Sequence, residues 1–155
     1  MSRSKILVSA CLLGVPVRYD GGAFDKHAVL ARWQAQGRII SLCPEVAGGL
    51  PTPRLPAEIQ GKTKVINTVN QNVTAFFLKG AQHALELAKT HDVKMAVLKA
   101  KSPSCGNSEI YDGSFSGRLI EGQGVTAKAL SDAGVKIFNE TELFEAEAYL
   151  QTLDA

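Results

Sequence analysis

Apolar residues along this chain gather in short unbroken runs, separated by stretches where they recur every three or four positions. The runs are "KILVSAC" (5–11), "RIISLC" (38–43), "KMAVLKA" (94–100) and "VKIFN" (135–139). Each is rich in Ile, Val or Leu and closed by turn-forming residues, the pattern of a strand buried on both faces. The stretches between them predict helices. "DKHAVLARWQAQG" (25–37) carries Val29, Leu30 and Trp33 at helical spacing and stops at Gly37. "TVNQNVTAFFLKGAQHALELAKTH" (68–91) sets Val69, Val73, Phe76, Phe77, Ala84 and Ala88 on one stripe, with Thr68 and Gln71 spaced as a capping box. "GVTAKALSDAG" (124–134) closes on Gly134 as a C′ residue. "NETELFEAEAYLQTL" (139–153) opens with an Asn cap and an acidic first turn. Two segments break the rhythm: 57–68 reads as a hairpin turning at Gly61-Lys62, and 109–120 as one turning at Asp112-Gly113.

Strand alternating with helix implies an α/β chain, here a three-layer, Rossmann-like domain around a four-stranded parallel sheet with small hairpin insertions. The expected strand order is 2-1-3-4, which puts the first run between the second and third and creates a switch point at its carboxyl end. Residues 1–155 are expected to form one domain around one core, as a chain of 155 residues allows.

Composition narrows the function without naming it. A net charge of +2 supplies no field to draw the chain to nucleic acid or a membrane surface. The apolar run from Ile6 to Cys11 is short for the core of a signal peptide, and no stretch approaches membrane-spanning length. A cytoplasmic protein is expected, with no membrane and no stable nucleic-acid partner; the oligomeric state is left open. Three cysteines without a C-x-x-C are too few for a disulfide framework.

Their positions say more than their number. Cys11 closes the first run, Cys43 closes the second, and Cys105 lies in the loop leaving the third. All three are therefore expected on the rim of the sheet where such folds bind ligands. Converging thiolates repel one another and are costly to hold without a cation. A zinc site would want a fourth ligand, and of His27, His83 and His91 only His27, at the opening of the first helix, is a candidate. An iron–sulfur cluster suits the soft donor set better, and a four-iron cluster on three cysteines leaves one iron open as a Lewis acid.

The neighbouring residues fit chemistry at that rim. Glu45 stands two residues after Cys43 in a Pro/Gly-rich loop, where a carboxylate can relay protons. Ser102 and Ser104 flank Cys105, with hydroxyls for sulfur or substrate, or simply for capping the turn. Arg18, Tyr19 and Asp20 precede two glycines, a combination suited to a planar polar ligand or a phosphate, and Arg54 is a second candidate anion clamp. Two other classes of protein stay open: a non-catalytic nucleotide- or metal-binding module with a structural three-cysteine site, and a thiol enzyme that uses one free cysteine as nucleophile.

Four blocks in order, "SACLLGVPVRYDGG", "CPEVAGGLPTPRLPAE", "LKAKSPSCG" and "YDGSFSGRLIEGQGVTAKAL", resemble the thiouracil desulfidase family over essentially the whole chain. The resemblance implies a [4Fe-4S] cluster on Cys11, Cys43 and Cys105 with its fourth iron open. It implies removal of sulfur from 2- or 4-thiouracil, or from 4-thiouridine monophosphate, giving the uracil compound and hydrogen sulfide without net redox change. Glu45 then matches the acid/base residue that activates water, and Ser102 a catalytic serine that orients or protonates the ring. Arg18, Tyr19, Arg54 and Ser104 are the expected substrate contacts, and a nucleotide is expected to bind better than the bare base.

Overall fold

The computed structural model describes residues 4–22, 24–61 and 63–155. Its strands are β1 (Ile6–Ser9), β2 (Ile39–Leu42), β3 (Ala57–Gln60), β4 (Lys64–Asn67), β5 (Met95–Leu98), β6 (Glu109–Tyr111), β7 (Leu119–Glu121) and β8 (Lys136–Asn139). Its helices are α1 (Ala28–Ala35), α2 (Pro44–Ala47), α3 (Thr74–Thr90), α4 (Val125–Asp132) and α5 (Leu143–Asp154). The four apolar runs form one parallel sheet in the order β2-β1-β5-β8, the expected 2-1-3-4.

Side-chain alternation along the two inner strands explains the layers. Ile6, Val8, Met95 and Val97 share a core with Leu30 and Trp33 of α1 and Leu143, Ala146 and Leu150 of α5. The intervening Leu7, Ala96 and Leu98 face the other way, onto Ala84 and Ala88 of α3 and Ala127 and Leu130 of α4. A strand covered on both faces has no polar side to show, so its sequence is apolar throughout. Each fully buried aliphatic side chain stabilises the fold by about 1.5–3 kcal/mol relative to exposure.

Several local expectations are corrected. The long helix starts at Thr74, not Thr68, because the Asn67 side chain accepts hydrogen bonds from the Val69 and Gln71 N–H groups and turns the chain first. Val69 and Phe76 are consequently exposed, while Val73, Phe77, Ala84 and Ala88 hold the buried stripe. Asn139 ends β8 rather than capping a helix directly, and α5 begins at Leu143. Gly134 follows α4 with a φ of 90°, as a C′ glycine should. Both hairpins form, β3–β4 and β6–β7. Lys62, the second residue of the first expected turn, lies outside the described residues. The second has no tight turn at Asp112-Gly113 but a loop across 112–118, tied to β3 where Glu58 Oε1 accepts from the N–H groups of Gly113 and Phe115. Among the described residues no helix is long and apolar enough to cross a membrane.

Candidate functional site

Strand order decides where the site lies. The chain leaves β1 to β2 on one side and returns to β5 on the other, so a crevice opens at the carboxyl ends of these three strands. A cavity of about 380 Å³ occupies it, within the size range of small-ligand sites. Cys11, Cys43 and Cys105 all line it, as do Glu45, Ser102, Arg18, Tyr19 and Arg54. Ser104 does not: it is fully buried behind the loop, with its hydroxyl bonded to Thr126 Oγ1 at 2.9 Å. The expected substrate contact is a strut of the loop instead. His27 is likewise committed elsewhere, its Nδ1 accepting the Val29 N–H as the cap of α1.

Each cysteine is seated by a different local device. Cys11 sits in a single 3-10 turn, Ala10–Leu13, whose Leu12 and Leu13 anchor in the core and which Gly14 closes at a φ of 85°. Cys43 caps α2, a helix seated directly on α3 by two glycines. A Cβ on Gly80 would lie 2.0 Å from the Pro44 carbonyl oxygen, and one on Gly48 would lie 1.9 Å from that of Phe76. Only backbone stripped of side chains allows that approach. Cys105 rides in the loop after β5, where Ser102 Oγ accepts the N–H groups of Ser104 and Cys105, each at 3.1 Å. With both donors coming from backbone, the Ser102 hydroxyl proton is left for the cavity.

The electrostatics set two of the thiols, Cys11 and Cys105, apart from ordinary cysteines. Burial pushes the Cys11 thiol from 9.0 up to about 11, and the adjacent Cys43 adds to the effect. Cys105 is pushed up to about 12, first by burial, against which a hydrogen bond from Ser9 works, with nearby Glu45 and Cys11 raising it further. These groups feel one another's charge, as three soft donors around one cavity must. Held as thiolates they would need positive charge inside the cavity. Among the described residues no three His, Cys, Asp or Glu side chains come close enough to share a single metal ion.

Glu45 and Arg54 form a unit. Arg54 Nε donates to Glu45 Oε1 at 3.2 Å, its side chain only 5% exposed. The other two guanidinium nitrogens donate to the Pro51 carbonyl and Thr52 Oγ1, and to the Val17 carbonyl with Cys43 Sγ 4.0 Å away. Every nitrogen of Arg54 thus already has a protein acceptor, so the guanidinium holds the loops and the carboxylate rather than standing open to an anion. Glu45 Oε2 has no hydrogen-bond partner among the described residues. Arg18 differs: its guanidinium carbon lies 4.2 Å over the Phe24 ring, a cation–π contact that leaves its donors available.

Pattern reading missed five polar residues of this cavity: Ser9, Glu58, Lys99, Lys101 and Tyr111. Lys99 is paired with Glu140 at 2.9 Å, whereas Lys101 has no charged partner among the described residues and holds a φ of 68°. Only the position of "LKAKSPSC" just past a strand hinted at the lysines; nothing local marked Ser9 or Glu58.

A parallel α/β sheet whose switch-point cavity carries three free cysteines, two carboxylates and spare cations defines a class of protein: one built to suit a small ligand and soft-donor chemistry. The comparisons narrow it. The 2-thiouracil desulfurase family profile matches residues 6–142, and the chain belongs to that family. It is 39% identical over 147 residues to the uncharacterized protein YbbK of Bacillus subtilis (strain 168), covering 89% of this chain and 97% of that one. A solved structure of the [4Fe-4S]-dependent thiouracil desulfidase TudS is 46% identical and superposes with a TM-score of 0.94, over 97% of this chain and 99% of that one.

Proposed function

We propose that this protein is an iron–sulfur-dependent desulfidase that converts a thiolated uracil and water into the uracil compound and hydrogen sulfide. The observation that carries the reading is the convergence of Cys11, Cys43 and Cys105 on one cavity, in a chain of this family. The donor set fits a [4Fe-4S] cluster: three free thiols around one cavity, Cys105 buried and Cys11 and Cys43 partly so, with no fourth thiol in the sequence. When bound, the cluster supplies a soft Lewis-acidic iron, free of protein ligands, for the thiocarbonyl sulfur.

The chain's own residues do the rest. Glu45, held through Oε1 by Arg54, offers Oε2 to take a proton from the attacking water. Ser102 presents its hydroxyl proton to the ring's heteroatoms. Water contributes the oxygen that replaces sulfur, the sulfur departs as hydrogen sulfide, and no electrons are exchanged. Tyr19 and Arg18 line the cavity, with the Arg18 guanidinium stacked over Phe24. Arg18, with Lys101, supplies the positive charge that favours a monophosphate over the bare base. Arg54 has no donor left for that role.

The test is anaerobic reconstitution with iron and sulfide analysis, followed by loss of thiocarbonyl absorbance on adding 2-thiouracil, 4-thiouracil or 4-thiouridine monophosphate. About four irons and turnover are expected; stoichiometric zinc without sulfide, and no turnover, would instead favour a structural ion site. Arg18→Ala should raise KM for the monophosphate by about tenfold and leave the free bases almost unchanged; equal loss for all substrates would remove the phosphate role.

A further inference from the structure

The last residue of β1 makes two contacts that only the sheet could bring together. Ser9 is 3% exposed, and its Oγ accepts the backbone N–H of Lys99, just past β5, at 3.0 Å. The same oxygen lies 3.5 Å from Cys105 Sγ, with the hydroxyl as donor. These partners are 90 and 96 positions away in sequence. A hydroxyl has one proton, and the Lys99 contact uses a lone pair, so that proton goes to the sulfur.

We propose that Ser9 is a positioning residue for the cofactor site: it aims its only proton at Cys105 and draws charge from that sulfur. The inference rests on the cluster reading above and concerns how the three ligands differ. Cys43 has Arg54 nitrogen at 4.0 Å, and Cys11 Sγ receives no hydrogen bond from a side chain among the described residues. Cys105, the most buried of the three at 4% exposure, receives the Ser9 proton. Hydrogen bonds to ligating sulfur are a main lever on cluster potential, because they stabilise the reduced and more negative state. Through Cys105, Ser9 therefore raises the reduction potential and keeps the iron electron-poor, as a site that captures a sulfur lone pair requires.

The experiment compares wild type, Ser9→Ala and Ser9→Thr, reconstituted anaerobically and assayed for iron, sulfide and midpoint potential by spectroelectrochemistry. Ser9→Ala is expected to load like wild type but with a more negative potential, while Ser9→Thr, which keeps the hydroxyl, stays at the wild-type value. A fully loaded Ser9→Ala at the wild-type potential overturns the proposal. Should Ser9→Ala fail to load, circular dichroism and Ser9→Thr decide: a folded Ala variant beside a normally loading Thr variant supports the role of the hydroxyl, and any other result overturns it. Wild type that takes up no iron and sulfide sinks the cofactor reading itself, a failure distinct from that of Ser9.

Discussion

At the amino ends of the sheet, Arg38 is 5% exposed and its charge is answered within the chain. Its guanidinium donates to both Asp154 oxygens at 2.9 and 2.8 Å and to the Ser4 carbonyl at 3.1 Å. At the carboxyl ends the Cys105 loop is just as buried, yet the groups facing the cavity are left incomplete. Two thiols are pushed far above neutrality, Glu45 keeps one oxygen without a partner, and Arg18 rests on a ring. The two ends share strands and core, so burial does not distinguish them. What differs is whether each polar group is satisfied by the chain or waits for something brought from outside.

The comparison breaks most sharply at the cysteines. Replacing any one of Cys11, Cys43 or Cys105 by Ser should abolish most bound iron and the brown colour while leaving the far-ultraviolet circular dichroism intact. A variant that still binds full iron would show that its thiol is a core residue. Next comes Glu45→Gln, which should keep the iron and lose about 10²–10⁴-fold in turnover. Near-normal rates in the loaded variant would pass the proton work to another group.

A smaller effect is expected from Gly80→Ala, because the added carbon meets the Pro44 backbone and must push α2 away from α3. That overpacking should cost about 1–3 kcal/mol in urea unfolding and lower iron loading as well, since α2 carries Glu45 and follows Cys43. Normal loading in a destabilised Gly80→Ala would uncouple the seat from the site. The smallest change belongs to the opposite end. Burial acts against the Asp154 carboxylate, but the Arg38 hydrogen bonds outweigh it and hold its pKa below 3.8. Its stabilisation is therefore present above that value and is lost as pH falls through the lowered pKa. Asp154→Asn should lower stability at pH 7 by at most about 1 kcal/mol, given the screening at this partly exposed pair, with turnover per iron unchanged. The gap in Tm from wild type should close in acid; a gap that persists there, or a fall in turnover, would show that the two ends are not independent.

Much of this was legible in one dimension. Runs such as "KMAVLKA" announce a strand covered on both sides, because the period of a strand is two and both of its faces are apolar here. Three such runs ending in or just before cysteine announce a shared rim, because parallel strands put all their carboxyl ends together. Other features misled because a competing partner, near or far, outbid the expected one. Thr68 and Gln71 have capping-box spacing, yet Asn67 takes the free N–H groups first. Asp112-Gly113 spells a tight turn, yet Glu58 across the insertion holds the loop open.

The character of the rim follows from local order alone: which runs are strands, which thiols end them, and which carboxylate stands beside Cys43. Those properties depend on residues a few positions apart, where backbone geometry fixes the outcome. The division of labour among the side chains was decided only by tertiary structure. Arg54 looks like an open anion clamp until Val17, 37 positions away, and Glu45 take its donors. Ser104 looks like a substrate contact until Thr126 closes behind it. Ser9 looks like one more small residue in a strand until β5 brings Lys99 and Cys105 to its hydroxyl. A polar side chain has few hydrogen bonds to give, and which neighbour receives them depends on what the fold places within about 3 Å.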